Sequence, residues 1–235
     1  MSETYQQSSI ATSTVFNQDP ENRLLARGSR FRMDAEMIRD NILMSSGLLS
    51  GKSLGPSVKP PQPAGLWAAV TKSGQRFKAD LGDKIFRRSI YTFWKRAMAP
   101  PQMTILNAPS RETCIARRER TNTPLQALLL LNENEYFKAA GHLAHQTLQK
   151  KSLSDDEKIS LIYEKITSQK LDKSELTTLK ELIKDLESLY KMDVKSTRDM
   201  LQNLNIQNSD NKSRLAAWTV MVNSLYNLDI SKTRE

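Results

Sequence analysis

Residues 123–149 read TPLQALLLLNENEYFKAAGHLAHQTLQ, and this stretch decides the fold class. Thr123 at a cap, Pro124 at the first helical position and Gln126 at the third reproduce the capping-box pattern, in which side chains satisfy the backbone donors that a helix start leaves free. A helix therefore begins at Pro124. A pause is expected at Leu131-Asn132, after which Asn132 with Glu135 can cap a second helix running to about Gln149.

Helical grammar continues downstream. Ser154-Asp155-Asp156-Glu157 is another capping box, and Leu176, Leu179, Leu182, Ile183, Leu186, Leu189 and Tyr190 form a broad apolar stripe. A packed helix hairpin is expected there. Leu215, Trp218, Val222 and Leu225 recur at three and four residues, which predicts a closing helix with Trp218 as a core anchor.

Upstream the signals are mixed. Residues 1–20 are polar and end at Asp19-Pro20, a turn-favouring pair, so a loose start is expected. Between Glu21 and Met44 the apolar positions fall at helical spacings, Gly28 interrupts them and Asp34 can cap a second segment; two short helices fit. Gly47 to Gly65 carries Pro56, Pro60, Pro61 and Pro63, which predicts an extended crossing with Trp67 packing beneath it. Residues 85–95, IFRRSIYTFWK, are enriched in aromatic and β-branched side chains and predict a strand that Met103 to Leu106 can pair with. The expected fold is mainly α: a helical bundle-like domain with at most a small two-stranded β element near 88–107. Its expected organisation is a loose segment over 1–20, an arginine-rich motif region over 21–150, and a helical region over 151–235 packed on the former as one domain.

Composition bounds the function. The 235 residues are 38% hydrophobic, enough for a real core. Mean hydropathy is −0.55, and no apolar run approaches the roughly 20 residues a membrane-spanning helix needs. The single Cys114 excludes an internal disulfide; its arginine-rich surroundings could activate a thiol, but an ordinary small side chain is the simpler reading. MSETYQQSSI shows no basic start followed by an apolar core, so no signal peptide is visible. Residues 1–150 hold 21 Lys and Arg against 12 Asp and Glu, whereas 151–235 hold 14 of each, so the whole excess of +9 falls in the first part. Thirteen of those 21 are arginines, whose planar fork suits carboxylate or phosphate partners and aromatic faces.

Several patterns invite a chemical reading. Residues 47–53, GLLSGKS, look like a phosphate-binding loop but have three residues between the glycines where the Walker pattern has four, and they follow a helix where that motif follows a strand. His142 and His145 stand three apart on one helix face, a spacing that can hold a metal, yet no carboxylate partner or haem-attachment motif accompanies them; no metal site is assigned. Asp34, Glu36 and Asp40 with Arg39 come nearest to a catalytic constellation, since Glu36 and Asp40 share a helix face and could share a cation or a proton. Early acids on a helix are also stabilised by its dipole, with arginines at hand to pair.

Three stretches carry a resemblance: residues 87–132, RRSIYTFWKRAMAPPQMTILNAPSRETCIARRERTNTPLQALLLLN; residues 19–43, DPENRLLARGSRFRMDAEMIRDNIL; and residues 55–67, GPSVKPPQPAGLW. Together they resemble the planctomycete PSD-one family, DUF1553, whose long exported members often carry a cytochrome c module. The resemblance covers nearly the whole chain but only the back part of the family's domain. It implies that a front portion is missing, that any haem c lies elsewhere in longer relatives with no cofactor in this chain, and an exported or periplasmic setting in the cell envelope. Two departures stand out: Asn107 where the family often has an aspartate, and Asn132-Glu133-Asn134 where it typically has Asn-Asp-Pro. No catalytic role comes with the resemblance.

The residues singled out as functional or structural candidates are Asp34, Glu36, Arg39, Asp40, Arg87, Arg88, Trp94, Arg96, Arg117, Arg118, Thr123 and Asn132. The reading taken is a binding or assembly module whose partner is the missing N-terminal portion or another protein. An enzyme, hydrolytic or redox, with its site at the arginine and acid clusters is the alternative. A basic surface that binds nucleic acid or another polyanion is the second alternative, and the less favoured one.

Overall fold

Five of the six described α-helix starts downstream of residue 120 are made by side chains. Thr123, Ser154, Asp172, Asp193 and Asn211 each accept a backbone N–H of the turn they open, and Ser154–Glu157 and Asp172–Glu175 close complete capping boxes. The computed structural model describes residues 2–67, 77–95, 97–206 and 211–234. Among them run nine α-helices. They are α1 (Ser13–Gln18), α2 (Ala35–Ser45), α3 (Pro101–Ile105), α4 (Pro124–Asn132), α5 (Asn134–Leu148), α6 (Asp155–Thr167), α7 (Lys173–Met192), α8 (Val194–Asn203) and α9 (Lys212–Asn227). The chain is mainly α with one small two-stranded sheet.

Two helices form the centre. α5 buries Tyr136, Ala139, Ala140, Leu143 and Ala144, and the closing helix α9 lies along it with Leu215, Trp218, Met221, Val222 and Leu225 inward. Small residues on α5 also admit the end of α8; at Gly141 a Cβ would fall 2.7 Å from a methyl of Leu204, which caps that helix. α6 adds Ile159, Ile162 and Ile166, and α2 adds Ile38 and Ile42. Each such side chain contributes about 1.5–3 kcal/mol on full burial. α7 is an outer helix with Ile183 buried.

Two expectations upstream are corrected. No helix forms over 21–30: the Asp19 carboxylate accepts the Arg23 and Leu24 N–H groups at 2.8 and 2.7 Å, and Asn22 and Leu25 adopt left-handed backbone (φ 54° each). A side chain has taken the donors that a helix would need. Of the two expected helices only α2 exists. Asp34 holds its cap position, but its side chain makes no capping bond.

The small sheet exists but not near 88–107. β1 (Phe31–Arg32) pairs antiparallel with β2 (Thr233–Arg234), joining the start of α2 to the chain's last described residues. Residues 82–86 and 89–91 are 3₁₀ turns, 103–105 belong to α3, and extended pairing around 87–92 is limited to isolated bridges from Arg87 to Ser50 and from Thr92 to Val58. The ladder is lost because its backbone groups serve side chains. Arg39 takes the carbonyls of Ile85 and Arg87, and Asp40 takes the N–H of Ser89. The aromatics there are half-buried and make ring contacts in place of a strand face: Phe93 packs on Trp67, whose Nε1–H donates to Gln62 beneath the proline crossing. Gly47 ends α2 with φ +78°, and no helix opens after it as a phosphate loop would require.

Candidate functional site

α2 has two working faces. Inward, Arg39 is fully buried, and its five N–H donors are all used. Nε and Nη2 grip the two oxygens of Glu135, Nη1 donates to the Arg87 carbonyl at 3.0 Å and the Ser89 hydroxyl at 3.2 Å, and Nη2 donates to the Ile85 carbonyl at 2.7 Å. Gln102 donates to the same Glu135 carboxylate at 3.3 Å. Burial alone would push the guanidinium down, but the Glu135 carboxylate outweighs it and holds Arg39 above its ordinary range. Beside this cluster, burial raises Tyr136, whose hydroxyl has no described partner, and burial with the Glu135 charge raises Glu133.

Outward, α2 floors an open cleft of about 910 Å³. Asp34, Glu36 and Asp40 line it, facing Arg88, Arg111, Arg118 and Arg234, with Met37, Met44, Leu49 and Ile90 between the charges. The acids are already engaged. Arg118 Nη1 meets Glu36 at 2.7 Å and Asp34 at 3.4 Å, Arg120 Nε lies 3.5 Å from Asp34, and Asp40 accepts the Ser89 N–H and hydroxyl at 2.8 and 2.6 Å. Three of the four arginines are not. Arg88 and Arg234 make no ion pair with any described residue, and Arg111 rests only on the Trp94 ring, 4.5 Å from its centroid.

The structure therefore brings Asp34, Glu36, Asp40, Arg88 and Arg118 into one cleft, and Glu36 and Asp40 do share its floor. Trp94 stands behind it, donating to the Ser110 carbonyl at 3.0 Å and seating the exposed arginine loop of 110–122. Arg117 lies in a separate hollow of that loop, and Cys114 is exposed on it. Arg39 and Arg87 point elsewhere. Arg87 is buried under the 52–56 loop, donating to the carbonyls of Lys52, Leu54 and Pro56 and stacking on Tyr91 at 3.8 Å, so its role is to fasten that loop. Arg96 falls outside the described residues.

Thr123 and Asn132 bound α4, away from the cleft. Thr123 caps α4 as expected, but Gln126 does not reach back to complete the box; its amide donates to the Ile105 carbonyl at 3.0 Å and accepts from Arg32. Asn132 does not cap α5: its Nδ2 returns to the Leu128 carbonyl at 2.8 Å, Glu133 occupies the cap position, and Glu135 turns inward to Arg39. His142 Nδ1 lies 2.9 Å from the Ser46 carbonyl, which assigns its proton to that nitrogen, and Gln149 lies beside His145 Nε2 at 3.2 Å. Among the described residues no three His, Cys, Asp or Glu side chains gather as a metal would need, and no helix is long and apolar enough to cross a membrane. Arg111, Arg234 and Glu135 were not among the candidate site residues; their only local signals were charge and, for Glu135, a place at a helix start where it was expected to cap.

A family model described as PSD1, a protein of unknown function (DUF1553), matches residues 1–183. No curated protein and no solved structure matches the chain.

Proposed function

Because the chain belongs to the PSD1 family of proteins of unknown function (DUF1553), we propose a reading from the site itself: a binding or assembly module whose α2 cleft docks an acidic segment of a protein partner. One observation carries it. Every acid lining the cleft is engaged by a described neighbour, while the guanidinium forks of Arg88, Arg111 and Arg234 have no carboxylate, so the lining, four arginines against three acids, keeps a net positive charge whose forks are open. Arginine forks pair bidentately with carboxylates, and the excess of basic residues in the first part of the chain would draw an acidic partner in. The setting we propose is the bacterial cell envelope, supported by the likeness to exported PSD1 proteins.

Fluorescence anisotropy with a labelled polyglutamate peptide tests the reading. Saturable binding is expected, weakened about tenfold or more in Arg88→Ala/Arg234→Ala, since about 1.4 kcal/mol per decade is within what one charge-assisted hydrogen bond supplies. Both arginines are exposed, so the variant keeps its fold. No saturable binding, or equal binding by the variant, overturns it.

A further inference from the structure

The charged rim of the cleft does not account for its floor. Met37 and Met44 stand seven residues apart on α2, two turns or about 10 Å along one helix face, and they are 41% and 70% exposed. Ile90, 74% exposed, and the half-buried Leu49 flank them in the same cleft. The stripe is uncovered by any described element, although α2's opposite face, with Ile38 and Ile42, is fully packed. A purely anionic ligand would leave this stripe wet. Contiguous apolar surface rimmed by polar groups marks an interaction site, and unbranched methionines adapt to a partner's side chains.

We infer that the acidic segment docked here is an amphipathic helix, its apolar ridge lying along Met37, Met44, Leu49 and Ile90 and its carboxylates reaching Arg88 and Arg234. This rests on the reading of the cleft as a docking site and adds to it the shape of the partner. Helix-in-groove recognition reads anchors at i, i+3 or i+4, and i+7. The seven-residue methionine spacing presents two such turns, and cations at the rim complement acids flanking a partner's ridge. A bare acidic tail would satisfy the arginines and ignore the methionines.

Two labelled synthetic peptides of about 15 residues, the length at which an isolated helix becomes marginally stable, separate the possibilities. One carries leucines at helical spacing among glutamates; the other has the same composition shuffled so that no apolar face forms. The amphipathic peptide is expected to bind the full chain at least tenfold more tightly than the shuffled one. Met37→Ser/Met44→Ser, with unchanged far-ultraviolet circular dichroism, should bring that ratio to about one. Arg88→Ala/Arg234→Ala should weaken both peptides while preserving the ratio. Equal binding of the two peptides by the parent, or a ratio that survives the methionine substitutions, overturns the helical partner. Failure of the docking site itself looks different: neither peptide binds, or the arginine substitutions change nothing.

Discussion

Arg39 and Glu135 lie 96 positions apart in the chain and meet in a two-pronged ion pair with almost no access to solvent. The pair ties α2 to α5, and through the carbonyls that Arg39 also holds it fixes the turns at 82–91 that bring Arg88 and Ile90 to the cleft. A buried charge stripped of its partner is costly. Glu135→Gln should destabilise the protein by about 3–5 kcal/mol. Arg39→Lys should not be tolerated much better, because an ammonium has three donors where five are in use. Urea denaturation followed by circular dichroism measures both; a loss under about 1 kcal/mol for Glu135→Gln would mean that the pair does not hold the turns.

Glu133 gives a pH signature. Burial first, and the neighbouring Glu135 carboxylate second, raise its pKa above the ordinary 4.5. A raised carboxyl favours the neutral form in the folded state, so folding takes up a proton between the unfolded and folded values. The stability tied to that proton is present below the unfolded value and is lost as pH rises through the folded one. Glu133→Gln should therefore be more stable than the parent at neutral pH and should flatten the decline across that window. Urea midpoints at a series of pH values decide it; a variant less stable than the parent at neutral pH would show that the ionised carboxylate is well accommodated.

What was legible in the sequence was local. Caps such as Thr123 and Ser154 announce themselves within four residues, and the stripes of α7 and α9 repeat at one helical period. The sheet could not be read, because Phe31 and Arg234 are partners in two-residue strands from opposite ends of the chain. Residues 85–95 were misread as a strand for a related reason: their aromatics suit a strand, but their hydrogen-bonding groups are claimed by Arg39 and Asp40 from a distant helix. The site was half legible. Asp34, Glu36 and Asp40 were visible as one helix face, whereas Arg88, Arg111, Arg118 and Arg234 come together only through the fold. Glu135 looked like a capping acid because its true partner is 96 positions away.

The cap at Thr123 makes a smaller, separable contribution. Its hydroxyl accepts the Gln126 N–H at 3.3 Å, while the Gln126 side chain is employed elsewhere, so Thr123→Ala removes one bond and not a reciprocal pair. The expected loss is about 1 kcal/mol. Thermal melts at matched cooperativity would show it as a lowered midpoint. An unchanged midpoint would mean that solvent replaces the cap without cost.

The last expectation concerns the acids that already occupy part of the cleft. Glu36 and Asp34 hold Arg118 much as a partner's carboxylates would, and the pairs are partly exposed, so they compete with an incoming acidic segment. Asp34→Asn/Glu36→Gln should free Arg118 and tighten binding of an acidic peptide by roughly fivefold, the equivalent of about 1 kcal/mol and the upper end of what a partly exposed pair is worth. Stability should move the other way. Both acids sit at the start of α2, where the helix dipole favours negative charge, so their neutralisation should cost about 0.3–1 kcal/mol each. Anisotropy titrations and melts on the same preparation read the two effects together. A double variant that binds acidic peptide no better than the parent would show that Arg118 is fastened to α2 for the sake of the 110–122 loop alone and is never offered to a partner.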